Sequence, residues 1–179
     1  NHQSLIPELL KLARLKVEYD FEILKQKDSR FITENDRELI FQKCRDAETD
    51  RIVITHGTLT MPDTARYLGQ KKLDKTVVLL GSAIPANKDK SDALFNLGAA
   101  IIAVQLLPHG VYIAMNGKVI NWDNVRKHKG YFEEENPIYM DLNYLLLRNE
   151  LKRSPVYQRL GYKEFVEFFK KTRQKPSEA

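Results

Sequence analysis

The sequence predicts an α/β fold: three layers, α/β/α, around a mostly parallel sheet, followed by C-terminal helices. Three observations carry this expectation. Short apolar runs alternate with stretches of helical period from residue 5 to about residue 115, which is the pattern of strands joined by crossover helices. One of those runs, "KTVVLLG", does not alternate polar and apolar residues, as expected of a strand covered on both faces. No apolar run approaches the roughly 20 residues of a membrane span, so the 42% hydrophobic residues are available for a core.

Taken in order, "SLIPELLKLARLK" places Leu5, Leu9, Leu12 and Ala13 at helical spacing, with Ser4 as a candidate N-cap. "VEYDFEIL" alternates Val17, Tyr19, Phe21 and Ile23, a strand period. Thr33 is placed to cap the helix "ENDRELIFQKCRDA", whose apolar face is Leu39, Ile40 and Cys44. "RIVIT" reads as a strand and "MPDTARYL" as a short helix with Pro62 near its start, where proline is tolerated. After the buried strand "KTVVLLG" comes the long helix "SDALFNLGAAIIAVQLL", then the strand "GVYIAMNG" and a hairpin to "KVI" across Asn116–Gly117. From residue 130 the stretch "GYFEEENPIY" reads as a polar linker, and "YLLLRNELKRS" and "YKEFVEFFKKTRQ" as two helices. The expected division is an α/β domain over residues 1–132 and a helical extension over 133–179. Residues 142–171 are expected to pack on the domain with Leu145, Leu146, Phe165 and Phe168 turned inward.

The lone cysteine, Cys44, rules out an internal disulfide and points to a reducing compartment; the expected location is the cytoplasm, with no membrane association. Cys44 lies within a helical pattern and reads as a packed thiol. The net charge of +5 is uneven, with Arg148, Lys152, Arg153, Arg159, Lys163, Lys170, Lys171, Arg173 and Lys175 crowding the tail. Such a tail can meet nucleic acid, but a solvated helix face accounts for it, and nucleic acid is not the expected partner. His2, His109 and His128 are scattered and His56 has no second histidine at ligand spacing, so no zinc site is expected. There is no phosphate-binding glycine loop.

Three loops follow the predicted strands: "KDSRFIT", "THGTLT" and "GSAIPANKDKSD". In a parallel sheet they emerge on one edge, where ligands bind. Thr58 is a candidate nucleophile or water activator, inert unless a base takes its proton. Lys127, in "NVRKHKG", is a candidate for that base. A structural reading stands beside each: His56 as a hydrogen-bonded histidine, Asp28 and Ser29 as an Asx-type turn, and Asp89, Ser91 and Asp92 as helix caps.

The segment "RIVITHGTLTMPDTARYL" resembles the signature of bacterial-type L-asparaginases, usually ITHGTDT followed by ETA and a helix. "KDSRFIT" resembles that family's Asp-Ser substrate loop, "VVLLGSAIPA…SDALFNLGAAI" its TGA…P…SDA..N segment, and "GVYIAMNGKVINWDNVRK" its next strand, hairpin and catalytic lysine. The four ordered blocks cover residues 5 to about 132. They are most similar to the family's short, single-domain branch. The resemblance implies an asparaginase N-terminal-domain-like fold and the hydrolysis of L-asparagine to L-aspartate and ammonia, without metal or organic cofactor, in a homo-oligomer. It implies that Asp28 and Ser29 bind the α-carboxylate and α-amino ends, that Gly57 lines the site, that Thr58 is the second catalytic threonine with Lys127 as its base, and that Ser82 faces the scissile amide.

Three departures shape the expectation, one of them being Ser82, which adds a hydroxyl near the reacting centre where the resemblance implies an alanine whose backbone faces the amide. The family's opening strand and TGGT motif, which carry the primary threonine nucleophile and a mobile lid, have no match in these 179 residues. A sheet without its central strand exposes its neighbours' backbone, so a partial record of a longer chain, or a strand supplied by a partner, is expected. Leu59 stands where the resemblance implies an aspartate that gathers the substrate ammonium. Losing that charge-assisted contact costs about 1.5–3 kcal/mol. The expectation is therefore an impaired or inactive amidohydrolase. The alternative is an asparaginase-like domain that serves as a binding or assembly module.

Overall fold

The structure, a computed structural model, describes residues 5–135. The chain divides into two compact units, Asn1–Glu133 and Glu134–Ala179. Of the second only Glu134 and Glu135 are described, so the expected helices over 142–171 lie outside the described residues.

The first unit is built on a four-stranded sheet in the order β1 (Arg51–Thr55), β2 (Thr76–Leu80), β3 (Gly110–Met115) and β4 (Lys118–Asn121). β1, β2 and β3 are parallel, in the registers Arg51 to Thr76 and Thr76 to Gly110. β4 returns antiparallel, with Met115 opposite Lys118. The turn between them is Asn116–Gly117, with φ of 55° and 75°. Two successive left-handed residues make the turn whose twist matches a hairpin, which is why Asn-Gly is favoured there. A second, two-stranded sheet joins β5 (Val125–His128) to β6 (Tyr131–Glu134).

The pleat sends successive residues to opposite faces, and every residue of β2 is buried. Val77 and Leu79 join Val111, Ile113 and Met115 in a core under α2 (Glu34–Asp46) and α3 (Met61–Gln70), closed by Val125 and Phe132. Val78 and Leu80 join Tyr112 and Ala114 under α4 (Ala93–Leu106), with Leu9 and Leu10 of α1 (Ile6–Leu12) packed alongside. The molecule thus has helices on both faces of a mixed, mostly parallel sheet, the α/β architecture that the alternation predicted.

Local chemistry sets the helix boundaries. Thr33 caps α2 through a capping box, its side chain accepting from Asp36 N while the Asp36 carboxylate accepts from Thr33 N. Asp36 also holds Lys25 and Lys27, and these two ammonium groups keep its carboxyl far below the usual carboxylate range. The predicted packing of Cys44 holds: it is buried, and burial pushes its thiol up to about 11, far from a reactive thiolate.

Four expectations are corrected. α1 is shorter than its apolar pattern, and its N-cap is Leu5 without a side-chain bond. Ser4 lies outside the described residues. The segment 17–24 is not a strand. Val17, Tyr19, Phe21 and Ile23 are 41–55% exposed, and among the described residues no strand runs beside them. Alternation supplies an apolar face, whereas a strand also requires a ladder partner. Asp92 begins α4 but makes no cap there; its carboxylate turns back to accept from Ala83 N and Ile84 N. "GYFEEENPIY" opens not as a linker but as β6, because Phe132 is 2% exposed and closes the first core.

β1 pairs with β2 alone among the described residues, so its other edge is open. At the N-terminal end of the sheet, one imidazole ties three loops together. His109, before β3, places Nδ1 2.6 Å from Asp74, before β2, and Nε2 3.5 Å from Asp50, before β1. The Asp74 hydrogen bond, with help from Asp50, raises the His109 pKa. Because the folded value exceeds the unfolded one of about 6.5, the stabilisation is complete below that pH. It is lost as pH rises through the folded value. Urea melts of the parent and of His109→Gln are expected to differ at about pH 5.5 and to converge towards pH 8.5; an unchanged gap across that window contradicts the clamp.

Candidate functional site

The three loops predicted to share a sheet edge meet. The loop after β1 carries His56, Gly57, Thr58 and Leu59. Gly57 lies so close to the loop of Asp28 and Ser29 that an added Cβ would fall 2.6 Å from Ser29 Cβ and Oγ. Only glycine allows that approach without overpacking, which costs about 1–3 kcal/mol. Thr60 fastens the same two loops, its hydroxyl donating to Ser29 O at 2.7 Å. The loop after β2 joins them at Gly81, where an added Cβ would lie 2.4 Å from the His56 carbonyl oxygen and 3.2 Å from Thr58 Cγ2.

Lys127 reaches this edge from the second sheet. In β5, Val125 and Lys127 share a face by the strand period. Val125 is fully buried, which turns Lys127 inward as well. Arg66 of α3 holds this strand by donating to Val125 O at 2.7 Å. The Lys127 Nζ then donates to Thr58 Oγ1 at 2.9 Å, and it lies 5.6 Å from the centre of the Phe132 ring, within cation–π range. A hydroxyl from the loop after β1 and a side-chain nitrogen from β5, 69 residues apart in sequence, are therefore in hydrogen-bond contact.

The other predicted residues are placed as follows. Asp28 makes the Asx-type turn: its carboxylate accepts from Arg30 N and takes a two-point contact from the Arg30 guanidinium. The guanidinium holds the Asp28 carboxyl below its ordinary value. Ser29 is buried under Gly57. Leu59 is 55% exposed, a hydrocarbon at the mouth of the loop. Ser82 is half-buried on the wall of a cleft of about 260 Å³. Thr55, His56, Gly57, Leu80 and Gly81 line that cleft together with Ile6 and Leu9. Thr58 and Lys127 are not among its lining residues, so the pair stands beside the cleft rather than within it. Among the described residues no cluster of His, Cys, Asp and Glu is suited to a metal.

A supporting layer escaped the sequence reading. The Asp92 carboxylate holds the loop of Ser82, and burial, which pushes it up, is outweighed by the N–H groups of Ile84 and Ala83, which hold it low. Asn96 is buried and donates to Gly81 O at 2.9 Å. Thr64 Oγ1 lies 3.0 Å from His56 Nε2 and accepts from Arg37 Nε at 3.3 Å. The available signal was the spacing of Thr64 from Thr60, the N-cap of α3, four residues earlier.

Residues 2–131 match the model of a family described as "Asparaginase, N-terminal". A probable periplasmic L-asparaginase of Haemophilus influenzae is 33% identical over 126 residues, covering 68% of this chain and 36% of that protein. A glutamyl-tRNA(Gln) amidotransferase polypeptide of Aeropyrum pernix is 35% identical over 119 residues, covering 63% of this chain and 27% of that protein. Among solved structures, a probable cytoplasmic L-asparaginase from Campylobacter jejuni superposes with a TM-score of 0.68 at 29% identity, covering 74% of this chain and 45% of that one. The chain thus spans about a third, or less, of the length of these curated relatives.

Proposed function

We propose that this chain, which belongs to the asparaginase family through residues 2–131, is an amidohydrolase-type domain for the side-chain amide of L-asparagine in which the proton-handling half of the site is built and the recognition of the substrate ammonium is weakened. The observation that carries this reading is the 2.9 Å contact between Lys127 Nζ and Thr58 Oγ1. In its amine form Lys127 takes the hydroxyl proton of Thr58 as that oxygen draws a proton from a water whose own oxygen adds to the amide carbon. The proton then passes to the departing nitrogen as the C–N bond breaks. One amide and one water give one carboxylic acid and one ammonia. The loop of Gly57, packed on one side against that of Ser29 and on the other against Gly81 before Ser82, bounds the place where the amide lies.

Two features limit the activity of the 179 residues. No TGGT motif is among them, so the primary nucleophile that the family resemblance implies has no counterpart. No carboxylate stands at position 59, and the loop carboxylates Asp28 and Asp92 are engaged with Arg30 and with backbone N–H groups. The expected outcome is measurable but weak binding of asparagine, with ammonia release at background. Thr58→Val and Lys127→Met are expected to alter binding without a change in fold. Isothermal titration and an ammonia assay check both. Robust turnover that survives Thr58→Val contradicts the assignment of the pair.

A second reading rests on Leu59. An apolar residue 55% exposed at the rim suits a domain kept as a binding or assembly module. Absence of any asparagine binding, with a folded protein, favours that reading.

A further inference from the structure

The first polar side chain of the loop after β1 is His56, and its ring is bonded at both nitrogens. Nδ1 lies 2.7 Å from Gly57 O, and Nε2 lies 3.0 Å from Thr64 Oγ1. Thr64 is fully buried on the first turn of α3. Its Oγ1 also lies 3.3 Å from Arg37 Nε, which comes from α2. Donor and acceptor chemistry gives this row of contacts a direction. A guanidinium N–H only donates, and a carbonyl oxygen only accepts. Thr64 therefore receives from Arg37 and has its own hydroxyl proton to give to His56 Nε2. With Nε2 accepting, the ring proton sits on Nδ1 and is donated to Gly57 O. Each ring nitrogen's state is set by the bond the other makes.

We propose that His56 is a positioning residue: a neutral Nδ1–H imidazole, oriented by Arg37 and Thr64, that holds the Gly57 carbonyl and so fixes where Thr58 presents its hydroxyl to Lys127. This rests on the Thr58–Lys127 pair being the working pair of the domain. Gly57 and Thr58 share one planar peptide unit, so anchoring Gly57 O sets the plane from which the Thr58 Cα departs. Gly57 has no side chain to anchor that unit, and Ser29 packs against it. Its carbonyl is the available handle. The surroundings keep the ring neutral. Burial weighs most, and the Arg37 charge adds to it. The Gly57 carbonyl and Asp63, facing from α3, act the other way without reversing the balance. A neutral ring with both nitrogens occupied takes no proton from Thr58, which leaves that task to Lys127.

The test is nitrogen-15 NMR of the imidazole ring in the 179-residue chain, with the Lys127 and Thr58 side-chain resonances recorded in parallel. His56 is expected to show a single tautomer, protonated at Nδ1, and to titrate below an ordinary histidine's midpoint. Thr64→Val, which keeps the side-chain shape and removes the hydroxyl, is expected to mix the tautomers and to shift the Thr58 and Lys127 signals. Thr64→Ser is expected to restore all three. If Thr64→Val does not fold, Arg37→Met removes the same relay from its far end. An Nε2–H tautomer, an ordinary titration of His56, or Thr58 and Lys127 signals unmoved by either substitution overturns the proposal. None of these readouts requires turnover. Failure of asparagine binding would refute the proposed function alone, and a wrong tautomer would refute the positioning role alone.

Discussion

Leu59→Asp is expected to tighten asparagine binding by about tenfold, while ammonia release by the 179-residue chain stays at background. The gain follows from one added charge-assisted contact, about 1.5–3 kcal/mol when a ligand covers it, and each 1.4 kcal/mol is a factor of ten. The lower end applies, because Leu59 is 55% exposed and solvent screens a charge placed there. Removing an exposed hydrocarbon from a loop tip costs little, so the fold is expected to tolerate the change. Turnover does not follow, because a better-held substrate still meets no TGGT threonine among these residues, and uniform binding does not lower the chemical barrier. Titration of asparagine into parent and variant, with an ammonia assay on the same samples, measures both halves. Equal affinities would show that position 59 does not face the substrate ammonium. Turnover by the variant would show that Thr58 itself acts as the nucleophile.

Phe132→Ala is expected to have the largest effect on stability, a loss of about 3–5 kcal/mol. The ring is 2% exposed and closes the core formed by Val77, Ile113, Val125 and the α3 residues Met61, Ala65 and Leu68. Its centre also lies 5.6 Å from Lys127 Nζ, so the cavity opens next to the side chain that reaches Thr58. Two consequences are expected together: a lower urea midpoint, and a Lys127 side chain released from Thr58. Phe132→Leu, which retains most of the volume, is expected to recover much of the first. If Phe132→Ala melts like the parent, β6 does not close this core.

The candidate site was readable wherever its chemistry is local. The loop "THGTLT" stands between a strand and a helix, and that placement alone put Thr58, Gly57 and Leu59 on the ligand-binding edge. Lys127 was matched by resemblance, but no spacing rule shows that two groups 69 residues apart meet. The pair depends on β5, which the sequence reading did not find, since four residues with one buried position give a weak strand period. The relay through Arg37 and Thr64 was likewise invisible, because it joins α2, α3 and the loop after β1.

The sequence by itself determined the layers, the faces and the turns. The unbroken apolar run of β2 required cover on both sides, and Asn116–Gly117 required a hairpin. Thr33 with Asp36 required a helix start. These follow from side-chain period and from backbone preferences that act within a few residues. Only the tertiary structure decided which segments with a strand period become strands. Residues 17–24 have the alternation and no ladder partner among the described residues, whereas Tyr131–Glu134 reads as polar and is a strand because Phe132 finds a core. A ladder needs a neighbour, and the neighbour is a property of the whole chain. The same reason places the amine of Lys127 on the hydroxyl of Thr58: each residue was visible in the sequence, and their 2.9 Å separation belongs to the packing of two sheets against α3.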